Sequence, residues 1–190
     1  MKFAILLVVT LGLVAVGTSN SFATTGTTSS GDPIYMKYGT IQGDVTATGH
    51  EHWIEVNSFQ FGISRTISAP TGGSADREST APSVSEITIT KPMDSSSPNL
   101  LNEALQGEGQ TVTIDFVKTG GTGQPLTYVE YKLENTLISG YSVSSGGENP
   151  TESISLSFTK FTFTFTPQNS DGSPGTPGTV GYDIALARVS

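Results

Sequence analysis

The residue types that bind metal ions gather at one point of the sequence, His50-Glu51-His52, with Glu55 three residues further on. On a strand, residues two apart point to the same face, so His50 and His52 could share a zinc ion with the Glu55 carboxylate. No further ligand stands at a convincing spacing. A polar loop ahead of a strand is the simpler interpretation, and we predict no metal site and no cofactor.

Carboxylate pairs are the next candidates for chemistry, because a glycosidase needs two of them. Asp76 with Glu78, and Glu148 with Glu152, stand in segments typical of polar turns, where we expect them to be solvated. Residues 169–172 resemble a calcium loop but lack its bidentate glutamate. No Gly-x-Ser-x-Gly nucleophile motif is present, and the chain contains no cysteine. We therefore predict a protein that is not an enzyme.

Four aromatic residues, Trp53, Phe59, Phe61 and Tyr128, could stack against sugar rings. Their strand-like spacing favours a place in the core instead. The run Gly120-Gly121-Thr122-Gly123 is predicted to be a hairpin turn rather than a phosphate-binding loop, because no helical pattern follows it.

The composition limits the partners. The chain of 190 residues has a formal net charge of −8 and a pI of about 4.6. Nucleic acids and anionic lipid surfaces both attract basic proteins, so neither is a predicted partner. The low charged fraction and the abundance of Thr, Ser and Gly favour an all-β fold.

The N-terminus has the pattern of a secretory leader. Lys2 is followed by an apolar run over residues 3–16, and small residues stand at Ser21 and Ala23. The run is shorter than the ~20 residues that span a bilayer. A buried strand or a membrane anchor is the alternative. We predict a signal peptide over residues 1–23, cleaved after Ala23, then a flexible tail over 24–32 and a secreted or periplasmic domain over 33–188.

Seven segments alternate apolar and polar residues as half-buried strands do. They cover residues 34–38, 53–67, 84–93, 112–116, 129–143, 153–167 and 180–187. The apolar parity slips at Asn57-Ser58 and again at Thr159-Lys160, which predicts bulges. Phe163 is predicted to face the core.

One short helix is predicted, with Ser97 as N-cap and Pro98 in its first turn. Its apolar stripe, expected to pack on the outside of the sheet wall, comprises Leu100, Leu101, Ala104 and Leu105. The predicted fold class is all-β with one short helix, forming a compact β-barrel of two packed sheets. The polar connection over residues 68–82 is long enough to be functional or disordered.

Ten segments follow one another along the chain: PIYMKYG (33–39), IQGD (41–44), HEHWIEV (50–56), FQFG (59–62), SEITITK (85–91), DSSSPNL (94–100), SVSSGG (142–147), TESISLSF (151–158), FTPQ (165–168) and GYDI (181–184). In this order they resemble the haemolysin-coregulated protein (Hcp) family, the tail-tube subunits of type VI secretion systems. The resemblance covers about residues 33–186.

The resemblance implies an Hcp-like β-barrel with a side helix. Six subunits would close into a ring, and rings would stack into a hollow tube that carries small cargo in its lumen. Spike, sheath and effector proteins of a type VI system would be possible partners. The resemblance also implies an inter-ring contact loop, formed here by Ser68, Pro70, Thr71, Asp76, Arg77 and Glu78.

The secretory leader departs from this family pattern, because a tail tube is assembled inside the cytoplasm. An exported, monomeric binding module that kept the barrel but lost the ring assembly is therefore the alternative function.

Overall fold

The computed structural model describes residues 32–67, 79–121 and 123–190. Its strands are β1 (Ile34–Tyr38), β2 (Ile54–Val56), β3 (Ser58–Gln60), β4 (Ile63–Ser64), β5 (Ser83–Val84), β6 (Ile87–Pro92), β7 (Gln110–Thr119), β8 (Pro125–Ser144), β9 (Thr151–Ser157), β10 (Lys160–Phe165), β11 (Gly178–Asp183) and β12 (Arg188–Val189). One helix, α1 (Ser97–Gln106), connects β6 to β7. Within these residues, no helix has the length and apolar character needed to cross a membrane.

Two antiparallel sheets share the long strand β8. The first sheet has the order β12-β11-β10-β8-β7-β1-β2, and the second runs from β8 through β9 and β6 to β3. The first part of β8 pairs with β7 and β10, whereas its last part, from Leu137 to Ser144, pairs with β9. The predicted all-β fold with two packed sheets and one short helix is thereby confirmed.

The chain passes from one sheet to the other at the two positions where the apolar parity slips. Asn57 separates β2 from β3, and its N–H donates to the Thr90 carbonyl at 2.7 Å. Phe158 and Thr159 separate β9 from β10, and the Thr159 N–H donates to the carbonyl of Glu134 in β8. Asn135, next to Glu134, has a φ of 51°, a conformation that asparagine tolerates better than most residues. Irregularities of this kind bend a sheet.

The barrel is not closed. The first sheet ends at β2 and β12 and the second ends at β3. Continuity of the chain through Asn57 joins the sheets on the β2–β3 side. On the other side β11 and β12 have no hydrogen-bonded partner in the second sheet within the described residues.

The core lies between the two sheets and is formed by alternate residues of each strand. Its fully buried apolar members include Met36, Tyr38, Ile54, Ile87, Ile89, Val112, Ile114, Leu133, Ile154 and Leu156. Along β10 the burial decreases from residue to residue: Phe161 is buried, Phe163 is half-buried and Phe165 is exposed. Phe163 therefore faces the core less completely than the sequence predicts, because β10 approaches the open side.

The helix contacts the core through a narrower face than predicted. Leu100 is fully buried and Ala104 packs against the core, whereas Leu101 and Leu105 are exposed. Residues four apart share a helix face, and each next residue is turned by about 100°. The predicted stripe is therefore right for Leu100 and Ala104 and wrong for Leu101 and Leu105.

Two pairs of antiparallel strands, β7 with β8 and β4 with β5, flank the polar connections. Gly120 and Gly123 form the turn between β7 and β8, as predicted. β4 and β5 form a hairpin stem that leads to residues 68–78, which lie outside the described residues. The six predicted inter-ring residues, Ser68, Pro70, Thr71, Asp76, Arg77 and Glu78, fall in that segment. The predicted leader over 1–23 and most of the tail over 24–32 also lie outside the described residues.

Candidate functional site

His50 is part of a buried acid–base pair and not of a histidine cluster. Its Nε2 lies 2.8 Å from Oδ2 of Asp115 in β7, and both side chains are buried. The His50 ring also contacts the rings of Tyr35 and Trp53, at centroid distances of 5.0 and 4.7 Å. The pair ties the turn before β2 to the strand β7.

Residues 50–52 form a turn ahead of β2, as the loop interpretation predicts, so the same-face geometry that a zinc site would need is not formed. His52 is exposed with a φ of 65°, and Glu55 is exposed as well. Within the three described ranges, no group of three or more histidine, aspartate or glutamate side chains could hold a metal ion.

Asp115 lies near a second carboxylate, that of Glu130, and the hydrogen bonding of the His50–Asp115 pair is incomplete among the described residues. Its Oδ2 also accepts a hydrogen bond from Thr127 at 3.2 Å, but its Oδ1 and the Nδ1 of His50 have no partner among the described residues. Burial and the negative charge of Asp115 raise the pKa of Glu130. The pair joins the turn before β2 to β7 and, through the Thr127 hydroxyl, to β8, so it has the features of a structural anchor.

A second buried charge pair lies at the end of the core near α1. Lys91 in β6 and Glu152 in β9 are register partners, both fully buried, with Nζ and Oε2 2.5 Å apart. Lys91 Nζ also lies 2.8 Å from Oδ1 of Asp94. The expectation that Glu152 is solvated is therefore wrong, whereas Glu148 is exposed as predicted.

Hydrogen bonds connect this pair to the start of the helix. The Ser97 hydroxyl donates to Oε2 of Glu152 at 2.8 Å and accepts a hydrogen bond from the Asp94 N–H. The Tyr141 hydroxyl donates to Oε1 of Glu152. Ser96 occupies the N-cap position without a side-chain capping bond, so the predicted N-cap role of Ser97 is wrong. The Ser97 hydroxyl instead bonds to Glu152 within the buried network.

Two phenols in this region should ionise only at high pH. Burial, together with the hydrogen bond and charge of Glu152, raises the pKa of Tyr141 to about 12, and burial with the charge of Glu103 does the same for Tyr38. Because an unfolded tyrosine ionises near pH 10, these groups stabilise the fold fully below about pH 10. That stabilisation is lost as the pH rises towards 12.

We therefore expect a phenolate absorbance titration of the Tyr141→Phe variant to lack one transition near pH 12 that the parent shows. Tyr182, whose ring lies against Phe161, provides the matched control, Tyr182→Phe, which should retain that transition. A difference titration between parent and Tyr141→Phe centred near pH 10 would contradict the buried hydrogen bond to Glu152.

The open side of the sandwich contains an apolar groove with a volume of about 350 Å³. It is lined by Phe61, Ile63, Pro82, Val84, Tyr131, Phe161, Phe163, Val180, Gly181, Tyr182 and Val189. Phe59 and Phe61 belong to the cluster of aromatic rings around Tyr131, which supports the core interpretation for both. Sequence reasoning missed the groove, because its walls come from strands far apart in the chain.

The remaining sequence candidates have structural roles. Trp53 packs on His50, and the ring of Tyr128 lies 4.9 Å from Lys118 Nζ. Asp171 does not stand free for calcium, because its Oδ1 accepts the N–H and hydroxyl of Ser173 at 2.9 and 2.6 Å.

Comparison with known proteins agrees with the fold. Residues 35–165 match the family model described as "Type VI secretion system effector, Hcp". The chain belongs to the Hcp family. Within the Hcp family, the protein hcp1 of Pseudomonas aeruginosa is 32% identical over 105 residues. That alignment covers 53% of this chain and 64% of the relative, so the chain spans less than two thirds of that Hcp protein.

Solved Hcp structures share the architecture. A structure described as that of a type six secretion system protein superimposes with a TM-score of 0.76 at 25% identity, covering 84% of this chain and 99% of the other. The Hcp1 crystal structure from Salmonella typhimurium gives 0.68 at 23% identity, with the same coverages.

Four of the ten segments that carry the Hcp resemblance supply residues to the buried networks. HEHWIEV contains His50 and forms the turn and β2, and DSSSPNL supplies Asp94 and Ser97 to the Lys91 network. These Hcp segments therefore hold the fold together. The groove has no lining residue in common with these networks.

Proposed function

We propose that this Hcp-family chain is a non-enzymatic structural subunit that closes into hexameric rings, which stack into a hollow tube with small cargo in the lumen. The family match over residues 35–165 carries this proposal. Spike, sheath and effector proteins of a type VI system are the proposed partners. With the leader removed after Ala23, the subunit would act in the periplasm or outside the cell without contacting a membrane.

The open sandwich supports assembly. The edge strands of the two sheets, among the described residues, are β2, β3 and β12, and an unpaired strand edge can pair with another chain. A heterologous contact between identical subunits closes into a ring when the rotation allows it, and continues as a stack when it does not. Both kinds of contact are needed for a tube.

The β4–β5 stem supports the inter-ring role of the adjoining segment. Ile63 pairs with Val84, and the Arg65 guanidinium donates to the Thr80 carbonyl at 3.0 Å and to the Ser79 hydroxyl. A bridge between Ile67 and Ser79 completes the stem. Ser68, Pro70, Thr71, Asp76, Arg77 and Glu78 would then contact the next ring from the end of an ordered hairpin.

Deletion of this segment tests that role. Replacement of residues 69–77 by two glycines keeps the Ile67–Ser79 bridge, so we expect the fold and the single rings to persist while stacks shorten or disappear. Electron microscopy counts rings per stack, and circular dichroism checks the fold. A variant in which serine replaces Asp76, Arg77 and Glu78 keeps the length of the segment, so it separates the effect of charge from the effect of length. Stacks of unchanged length in the deletion variant would contradict the inter-ring role.

The central test is the mass of the mature protein. Negative-stain microscopy and light scattering of residues 24–190 should show rings with six times the subunit mass. A monomer at all accessible concentrations would contradict the proposal.

The apolar groove favours the second candidate, an exported monomeric binding module. Ligand pockets are typically ~300–1,000 Å³ with mainly apolar walls, and the groove falls in this range. A monomer that binds an uncharged fluorescent probe, with binding lost on Val180→Trp, would support this alternative.

A further inference from the structure

The groove leaves a patch of apolar side chains in contact with water at the open side of the sandwich. Ile63, Val180 and Val189 stand around it with 54%, 46% and 70% of their surfaces exposed. They adjoin the half-buried Phe163 and Tyr131. A concentrated apolar surface of this kind marks an interaction site more often than scattered exposed residues do.

The same chain carries a convex apolar surface of matching character on α1. Leu101 and Leu105 are 43% and 77% exposed. They project from a helix that is fixed on its other face by buried Leu100 and at its start by Ser97 in the Lys91 network. A fixed helix can dock its exposed side chains with little loss of conformational entropy.

The charges beside the two surfaces are of opposite sign. The described residues include two arginines near the groove: Arg188 directly precedes the lining residue Val189, and Arg65 stands two residues after the lining residue Ile63. The last turn of α1 contains no basic residue, and the exposed Glu108 follows the helix. In a chain with a net charge of −8, this placement favours an acidic partner surface at the groove.

We propose that α1 of one copy docks through Leu101 and Leu105 into the groove of a neighbouring copy. This inference rests on the proposed self-assembly and names the two surfaces that meet. The groove and the helix are different surfaces, so the contact is heterologous and repeats around a ring or along a stack instead of forming an isolated two-fold dimer.

The absence of cysteine from the sequence allows a clean crosslinking test. One preparation carries Leu105→Cys and a second carries Val189→Cys, and the two are mixed, allowed to assemble and oxidised mildly. Both positions are strongly exposed, so neither substitution should disturb folding. Gln106→Cys mixed with Val189→Cys is the matched control, because Gln106 is also exposed but is turned away from Leu105 by about 100°.

Disulfides form only between residues whose Cα atoms approach within about 7 Å. We expect disulfide-linked dimers from the Leu105→Cys and Val189→Cys mixture at several times the yield of the Gln106→Cys control, and none from Leu105→Cys alone. Rings or stacks that form without this preference would overturn the docking while leaving the proposed function intact. If the protein forms no assembly at all, both the docking and the proposed function are overturned. This holds whether or not an uncharged probe binds in the groove.

Discussion

Replacement of Lys91 by methionine should lower the free energy of unfolding by about 3–5 kcal/mol, because it leaves the Glu152 charge buried without its cation. Lys91 and Glu152 are both fully buried, and their charged atoms lie 2.5 Å apart. Methionine fills most of the lysine volume, so the loss reports on charge more than on packing. Urea denaturation of the two proteins measures the difference.

Two further variants separate the charge effect from other causes. Lys91→Met with Glu152→Leu removes both charges, and most of the lost stability should return. Lys160→Met removes one side of the exposed pair with Glu134, at 3.2 Å, and should cost no more than about 1 kcal/mol. Equal costs for Lys91→Met and Lys160→Met would show that burial of the first pair has no energetic consequence.

Replacement of His50 by alanine should cost about 3 kcal/mol, because Asp115 is buried and, among the described residues, the Thr127 hydroxyl is then its one remaining side-chain donor. Loss of the ring also removes the contacts with Tyr35 and Trp53. Thermal and urea unfolding both measure the effect.

His52 provides the comparison for His50. His52→Asn keeps a residue that tolerates the positive φ at this exposed site, so stability should change by no more than about 0.5 kcal/mol. Adding Asp115→Asn to His50→Ala removes the unpaired charge and should recover part of the loss. If His50→Ala proves as mild as His52→Asn, the buried pair does not anchor the turn.

Much of the fold was predictable because alternating burial imposes a period of two on the sequence. The slips at Asn57 and Thr159 indicate where the chain changes sheets, since one extra residue exchanges the buried face. The position of α1 followed from Pro98 and the apolar spacing. The family resemblance was carried by segments that form the buried networks.

The errors have a common physical cause. A charged residue at a core position, such as Glu152, is easily taken for a solvated one when its partner across the sheet is unknown. The parity of Lys91 after Ile87 and Ile89 was an available signal, because all three alternate residues lie on one face. The open groove could not be inferred, since periodicity specifies the face of a residue but not whether a second sheet covers it.

The pairing of the first strand has a consequence for synthesis. Ile34 in β1 pairs with Val56, but its other neighbour, Phe116 in β7, lies about 80 residues later, a stretch that ribosomes need roughly 4–16 seconds to translate at 5–20 residues per second. During that interval Met36 and Tyr38 cannot reach their final burial. The emerging chain therefore leaves the apolar face of β1 exposed to solvent until β7 has been made.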